Sequence, residues 1–196
     1  MSTPLFRPSV RQLSPAVRIM VVLTVLVGLA YPLAVTGFAQ VVFPGRADGS
    51  LVSRDGKVVG SALIGQSFEG HPEYFQSRPS AGNYDPLASG ASNLGPENPD
   101  LVSAIEDRRA AAAKLDGTAP ADVAPDALLA SGSGLDPDIS PEYAAQQVAR
   151  VARVRGLDPA QVRELVASYT SGRSLGFLGE PHVNVLELNL ALDRPR

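Results

Sequence analysis

Apolar positions are concentrated in one unbroken run. Residues 19 to 43, IMVVLTVLVGLAYPLAVTGFAQVVF, contain no Asp, Glu, Lys or Arg. At about 1.5 Å per residue a helix over this run is about 37 Å long, against about 30 Å of bilayer hydrocarbon. The pattern predicts a single membrane-spanning helix, the surplus taken up by tilt and by Gln40 and Phe43 in the headgroup layer. A cleaved signal peptide fits less well. Its apolar core runs about 7–15 residues and ends at a small-x-small site, and Ala34-Val-Thr36 is a poor match. Pro32 lies mid-span and removes a backbone donor, so a kink is expected between Gly28 and Pro32. Arg7, Arg11 and Arg18 precede the run, with no acid among residues 1 to 18, and cationic flanks stay cytoplasmic. The expected layout is a cytoplasmic tail over 1–18, a transmembrane helix over 19–43 and an extracytoplasmic domain over 44–196. Arg18 would snorkel to the inner headgroups. Residues 1 to 15 read as a mobile tail whose Ser14-Pro15 caps the helix.

Beyond residue 44 the apolar positions come in short periodic groups. Asp55-Gly56 between Leu51-Val52 and Val58-Val59 predicts a hairpin, because glycine tolerates the positive φ of a tight turn. The second strand could run to Ile64, with Gly60 and Gly65 marking a bulge and a strand end. Residues 66 to 98 follow neither period. They nevertheless hold Phe68, Tyr74, Phe75 and Tyr84, four of eleven aromatics, which predicts an ordered loop held by Arg78, Asn83 and Asn93. Asn98-Pro99-Asp100 opens a helix with Leu101, Ile105 and Leu115 on one face, stopped by Gly117. Asp126-ALLAS is a short strand candidate. Ser140-Pro141-Glu142 opens a second helix with Ala144, Val148, Val151 and Ala152 inward, and Arg150, Arg153 and Arg155 toward solvent or a partner. Asp158-Pro159 opens a third, running to about Thr170. Residues 183 to 192 fit both periods, and a strand at 183–186 followed by a helical turn is expected. The fold class is α+β: one transmembrane helix plus a single soluble domain with a small sheet and about three helices.

Composition narrows the chemistry. The net charge is −3, and setting aside the three N-terminal arginines leaves the rest near −6, which argues against nucleic acid as a partner. The chain has no Cys, so thiolate nucleophiles and zinc–thiolate sites are excluded. Seventeen prolines and 18 glycines imply many turns between short elements. A Gly-rich turn at Ser131, Gly132, Ser133 and Gly134 precedes a helix start and could cradle a phosphate, but no Lys stands where a phosphate-binding loop needs one. The plainer reading is a capped helix entered through a tight turn. Asp136 and Asp138 lack the ligand count of a calcium loop and read as caps or dipole partners. His71 and His182 are far apart in sequence, and Ser77, Ser80 and Ser89 have no evident His–acid partner. No catalytic residue and no metal site is expected.

Four stretches, in this order, resemble the signature blocks of the KdpC family of Kdp-type potassium-transporting ATPases. They are Tyr74-FQSRPS-Ala81, Ser89-GASNLGPEN-Pro99, Ser131-GSGLDPDIS-Pro141 and Leu175-GFLGEPHVNVLELNLA-Leu192. The Asp55-Gly56 hairpin followed by Gly60-SALIG-Gln66 is similar too, and so is a single N-terminal anchor. Two positions depart from the family pattern: Ala91, where Gly is more frequent, and Asp138, where His or Asn is frequent.

The resemblance implies a bacterial inner-membrane complex that imports potassium using ATP. Its partners would be a channel-like potassium-translocating subunit, a P-type ATPase subunit and a small membrane-spanning subunit. This chain would be a non-catalytic accessory or assembly subunit that stabilises the complex, with assistance to potassium access as a further role, and that binds no cofactor itself, while the complex uses potassium and ATP. It lacks the DKTGT phosphorylation motif and any filter-like sequence. Structural or interface roles would fall to Arg18, Pro32, Arg78, Pro79, Asn93, Gly95, Asp136, Pro137, Ser140, Asn184 and Asn189. The runner-up implied by the family is a nucleotide-binding subunit that raises ATP affinity, through the Ser131–Gly134 loop with Gln146 or Gln147.

Overall fold

A computed structural model describes residues 10 to 194. The start of the expected tail, including Arg7, lies outside the described residues. The chain divides between Ser50 and Leu51 into two compact units.

The first unit is helical. α1 (Val10–Leu23) passes into a π-helical segment, Thr24–Ala30, then α2 (Tyr31–Val42) and the single turn α3 (Pro44–Ala47). Pro32 has no N–H to give to Gly28 and its ring crowds that carbonyl, so the chain widens in the turn before it. The π-helical segment Thr24–Ala30 includes Gly28 and ends two residues before Pro32. Ser14-Pro15 does not cap: α1 starts upstream and Pro15 lies inside it. The helix long enough to span a bilayer is Arg11–Val42, 32 residues, and an 18-residue window within it has a mean hydropathy of 2.3. Nearly all its side chains are exposed, as lipid-facing residues would be.

The second unit is α+β, as expected. β1 (Leu51–Arg54) and β2 (Lys57–Ser61) form the hairpin, with φ of +50° at Asp55 and +76° at Gly56 in the turn. Val52 pairs with Gly60 and Ser53 with Val58, so Val59 is a bulge, and β2 stops at Ser61 short of Ile64. α4 (Pro99–Asp116), α5 (Pro141–Arg155) and α6 (Pro159–Ser168) start on Asn98, Ser140 and Asp158, whose side chains accept from backbone N–H groups of the first turn. The first two end on left-handed Gly117 and Gly156. β3 (Asp138–Ile139), β4 (Thr170–Ser171) and β5 (His182–Asn184) form an antiparallel sheet in the order β3-β5-β4. α7 (Val185–Leu192) follows at once, because the Asn184 side chain accepts from Glu187 N–H and turns strand into helix.

Three expectations are corrected. Asp126 begins no strand: Pro125–Ala127 is a 3-10 turn, and the Asp126 carboxylate accepts from Ser140 N–H at 2.6 Å and Ser140 Oγ–H at 2.9 Å. Leu115 points outward, and Asp116 takes the buried place at the end of α4. Of the three arginines expected to face outward only Arg153 does; Arg155 is largely buried, and Arg150 is among the most buried side chains, at 1% exposure. α5 buries two stripes: the apolar one of Ala144, Val148, Val151 and Ala152, and beside it Tyr143, Gln147 and Arg150 at helical spacing. The core gathers these with Phe75, Ile139, Val162, Val183 and Leu188.

Candidate functional site

Residues 72 to 76 lie as an irregular strap over α5 and α7, and polar side chains supply the pairing that a neighbouring strand would otherwise give. Phe75 N–H donates to Asn189 Oδ1 at 2.8 Å and Asn189 Nδ2–H donates back to Phe75 O at 3.0 Å. Gln76 N–H donates to Gln147 Oε1 at 2.6 Å, and Gln147 Nε2–H returns to Gln76 O at 3.2 Å. Arg150 Nη1 donates to the carbonyls of Pro72 and, at 2.8 Å, Tyr74; Nη2 donates to Gln147 Oε1; Nε donates to Asp116 Oδ1 at 2.7 Å. Gln146 Nε2 donates to the other Asp116 oxygen at 2.7 Å, and its Oε1 accepts from Ala124 N–H. The buried backbone of a loop without regular structure is thereby satisfied, as burial requires. Of Arg78, Asn83 and Asn93, expected to hold this loop, only Arg78 reaches across it. Asn83 and Asn93 are exposed, and Asn93 Nδ2 donates to Ala91 O nearby.

The strap's outer end is clamped by Asp193. Its carboxylate accepts from Tyr74 Oη–H at 2.7 Å, Arg155 Nη2 at 2.8 Å and Arg54 Nη1 at 2.5 Å. The Arg155 guanidinium also stacks over the Tyr74 ring, 4.7 Å from its centroid, and its Nε donates to Glu73 O. Burial pushes the Asp193 carboxyl up, yet the hydrogen bonds from Tyr74, Arg155 and Arg54 together outweigh it and hold the group below the ordinary carboxylate range. A depressed acid stabilises the fold above the unfolded-state value and loses that contribution as pH falls through the folded-state value. Asp193→Asn is therefore expected to flatten the acid limb of stability between about pH 5 and pH 2. Urea midpoints of both chains across that range check it; equal slopes would refute it.

The Ser131–Ser140 segment is walled in by the loop that follows the strap. Ser131 N–H donates to Pro79 O at 3.2 Å, Gly90 N–H to Ser133 O at 2.8 Å, and Ser80 Oγ–H to Gly134 O at 2.6 Å. Gly134 has φ +67° and a Cβ there would sit 2.8 Å from Gly90 O, so glycine is required twice over. Gly65 packs as tightly, since a Cβ would meet Asp136 O at 2.3 Å. Asp136 and Asp138 do not cap the helix; Ser140 does. Asp136 Oδ2 accepts from Arg78 Nη1 at 2.9 Å and its Oδ1 from Asp138 N–H at 3.0 Å. Pro137 O accepts from Val185 N–H, and Asn184 Nδ2 bridges Ala62 O and Asp138 Oδ1, so these residues tie the loop to the β5–α7 junction. Burial and the neighbouring Asp136 push the Asp138 carboxyl up, with His182 and Asn184 opposing. Gly95 O accepts from Asn98 N–H at the foot of α4.

Arg78 separates two concavities of about 570 and about 550 Å³. The first has an apolar floor of Pro125, Leu129 and Ile139, and its lining includes five carboxylates against the single Arg78 guanidinium. The second lies between the 67–84 loop and α4 and includes Arg108, whose Nη1 donates to Leu128 O. Among the residues read from sequence, the structure brings together Arg78, Asp136 and Ser140 at the first concavity. Gln147 and Asn189 lie apart from them, under the strap. Arg18 and Pro32 belong to the helical unit. The signal that could have found Arg150 is its place in the buried stripe, seven residues after Tyr143 and three after Gln147.

The family model described as the c chain of the K+-transporting ATPase, KdpC, matches residues 13–194. A protein of Kineococcus radiotolerans named potassium-transporting ATPase KdpC subunit is 62% identical over 184 residues, covering 93% of each chain. A Sorangium cellulosum protein of the same name is 57% identical over 189 residues, 94% of this chain and 98% of its own. A third, from Methylococcus capsulatus, is 52% identical over 190 residues and is covered along its whole length.

Proposed function

The chain belongs to the KdpC family, the c chain of the K+-transporting ATPase, and from that premise we propose that it is a non-catalytic assembly subunit of that potassium-importing complex. Its apolar helix anchors it in the bacterial inner membrane with the N-terminus inside. The domain after the anchor lies outside, over the potassium-translocating subunit. The observation that carries this reading is where the buried polar groups go. Asp116, Gln147, Arg150 and Asn189 are spent on the chain's own backbone and on each other, which builds a rigid docking body around an irregular strap. The same observation weighs against nucleotide binding through the Ser131–Gly134 turn with Gln146 or Gln147. Both amides are bonded on both sides, and the turn's backbone is joined to Pro79, Ser80 and Gly90.

The test is purification of the tagged chain in mild detergent from its potassium-limited host, with mass spectrometry of what accompanies it. Recovery of a P-type ATPase subunit and a larger polytopic protein in fixed ratio is expected; recovery of the chain alone would refute the assembly role. Sidedness is read on Ser103→Cys, an exposed position in a chain without native cysteine. Labelling by an impermeant thiol reagent in intact spheroplasts is expected, and labelling only after lysis would place the domain inside, as the nucleotide-binding alternative needs.

A further inference from the structure

The hairpin-like loop between β4 and β5 exposes its largest side chains. Leu175, Phe177 and Leu178 are 83%, 70% and 50% exposed. The loop is nonetheless built. Ser174 N–H donates to Leu178 O at 2.8 Å, Leu178 N–H returns to Ser174 O at 2.9 Å, and Arg173 pairs with Glu180 at 2.7 Å across the base. Leu175 holds φ +54°, a left-handed conformation unfavourable for a leucine. Three large apolar side chains presented together on a fixed loop mark a contact surface. The loop ends at Glu180 and Pro181, which form one edge of the 570 Å³ concavity. Tip and groove therefore adjoin: an apolar projection beside an apolar floor whose surroundings are dominated by carboxylates, including Asp138 and Glu142.

We propose that this tip and groove form one docking face for a partner protein segment that carries an apolar anchor flanked by Lys or Arg. The inference rests on the assembly reading and names the surface by which assembly occurs. Charge complementarity selects the occupant. An anionic bilayer surface recruits loops flanked by free basic residues, whereas here Arg173 is paired with Glu180 and the adjoining groove carries Asp138 and Glu142. A second copy of this chain would set like carboxylates against each other. A basic protein segment gains on both counts, with the anchor on the apolar floor and its cations at the carboxylates.

The test uses the intact complex in mild detergent. A photo-crosslinking benzoyl-phenylalanine replaces Phe177, and separately Phe177→Glu and Glu142→Lys are made; both positions are exposed and lie outside the core. The expected result is a crosslink to a peptide of another subunit in which a large apolar residue stands within a few positions of Lys or Arg. Recovery of partner subunits is expected to fall more than about tenfold for Phe177→Glu, as loss of an interface anchor does. The chain's own thermal midpoint should be unchanged for Phe177→Glu. A crosslink to lipid alone, to a second copy of the chain or to a peptide without basic residues would overturn the proposal, and so would undiminished recovery of both charge variants. Absence of partners from the unaltered chain would instead defeat the assembly reading itself.

Discussion

Arg150→Met is expected to destabilise the second unit by about 3–5 kcal/mol, the cost of breaking a buried ion pair by removing one partner. Against a typical total of about 5–15 kcal/mol this is a large share of the fold's stability. The magnitude follows from what the guanidinium leaves behind. Asp116, whose side chain is 2% exposed, would keep only Gln146 as a side-chain donor. The carbonyls of Pro72 and Tyr74 would lose their charged donor. Arg150→Lys is expected to restore little, because an ammonium cannot reach Asp116, Gln147 and two strap carbonyls from one point. Adding Asp116→Leu to Arg150→Met should recover part of the loss, since the unpaired charge goes with it. Thermal unfolding of the detergent-solubilised chain, followed by circular dichroism, reads all three. A loss below about 1 kcal/mol for Arg150→Met would mean that the buried pair is not what holds the strap.

Ending the chain after Pro181 is expected to abolish cooperative unfolding altogether. β5 is the central strand of its sheet, so β3 and β4 would both lose their partner. The deletion also removes Val183, Val185, Leu186, Leu188 and Leu192, all buried. At about 1.5–3 kcal/mol each, their loss matches or exceeds the stability of an ordinary domain. Asn189 and Asp193, which hold the strap at Phe75 and Tyr74, go with them. Limited proteolysis gives the readout: cleavage throughout residues 51–181 is expected, and a protease-resistant fragment would contradict it.

These two effects fall on elements of very different legibility. The C-terminal segment is recognisable as core from its leucines and valines alone, although its apolar positions suit strand and helix equally. The choice comes from Asn184, whose side chain caps α7 immediately after three residues of pairing. Arg150 departs from its sequence expectation because an arginine in a helix near two other arginines usually faces water. Its partner Asp116 lies 34 residues away, and its other acceptors are carbonyls of a loop with no period to read. Asp126 departs for a similar reason: its carboxylate is used by Ser140, 14 residues on, so the backbone there turns.

Local chemistry determined what depends on near neighbours in the chain. The uncharged run that makes the long apolar helix, the Asp55-Gly56 turn, the Asn98, Ser140 and Asp158 caps, the glycine stops and the apolar face of α5 each rest on residues a few positions apart, where spacing dictates geometry. Family membership was legible as well, from four short blocks in order, and the family match spans residues 13–194. Tertiary structure alone decided which polar groups are buried, how the strap is held by side-chain amides, and that an apolar tip stands beside an acidic groove. Those depend on contacts between residues far apart in sequence. Burial makes each of them strong by removing competing water, and composition carries no record of which distant groups will meet.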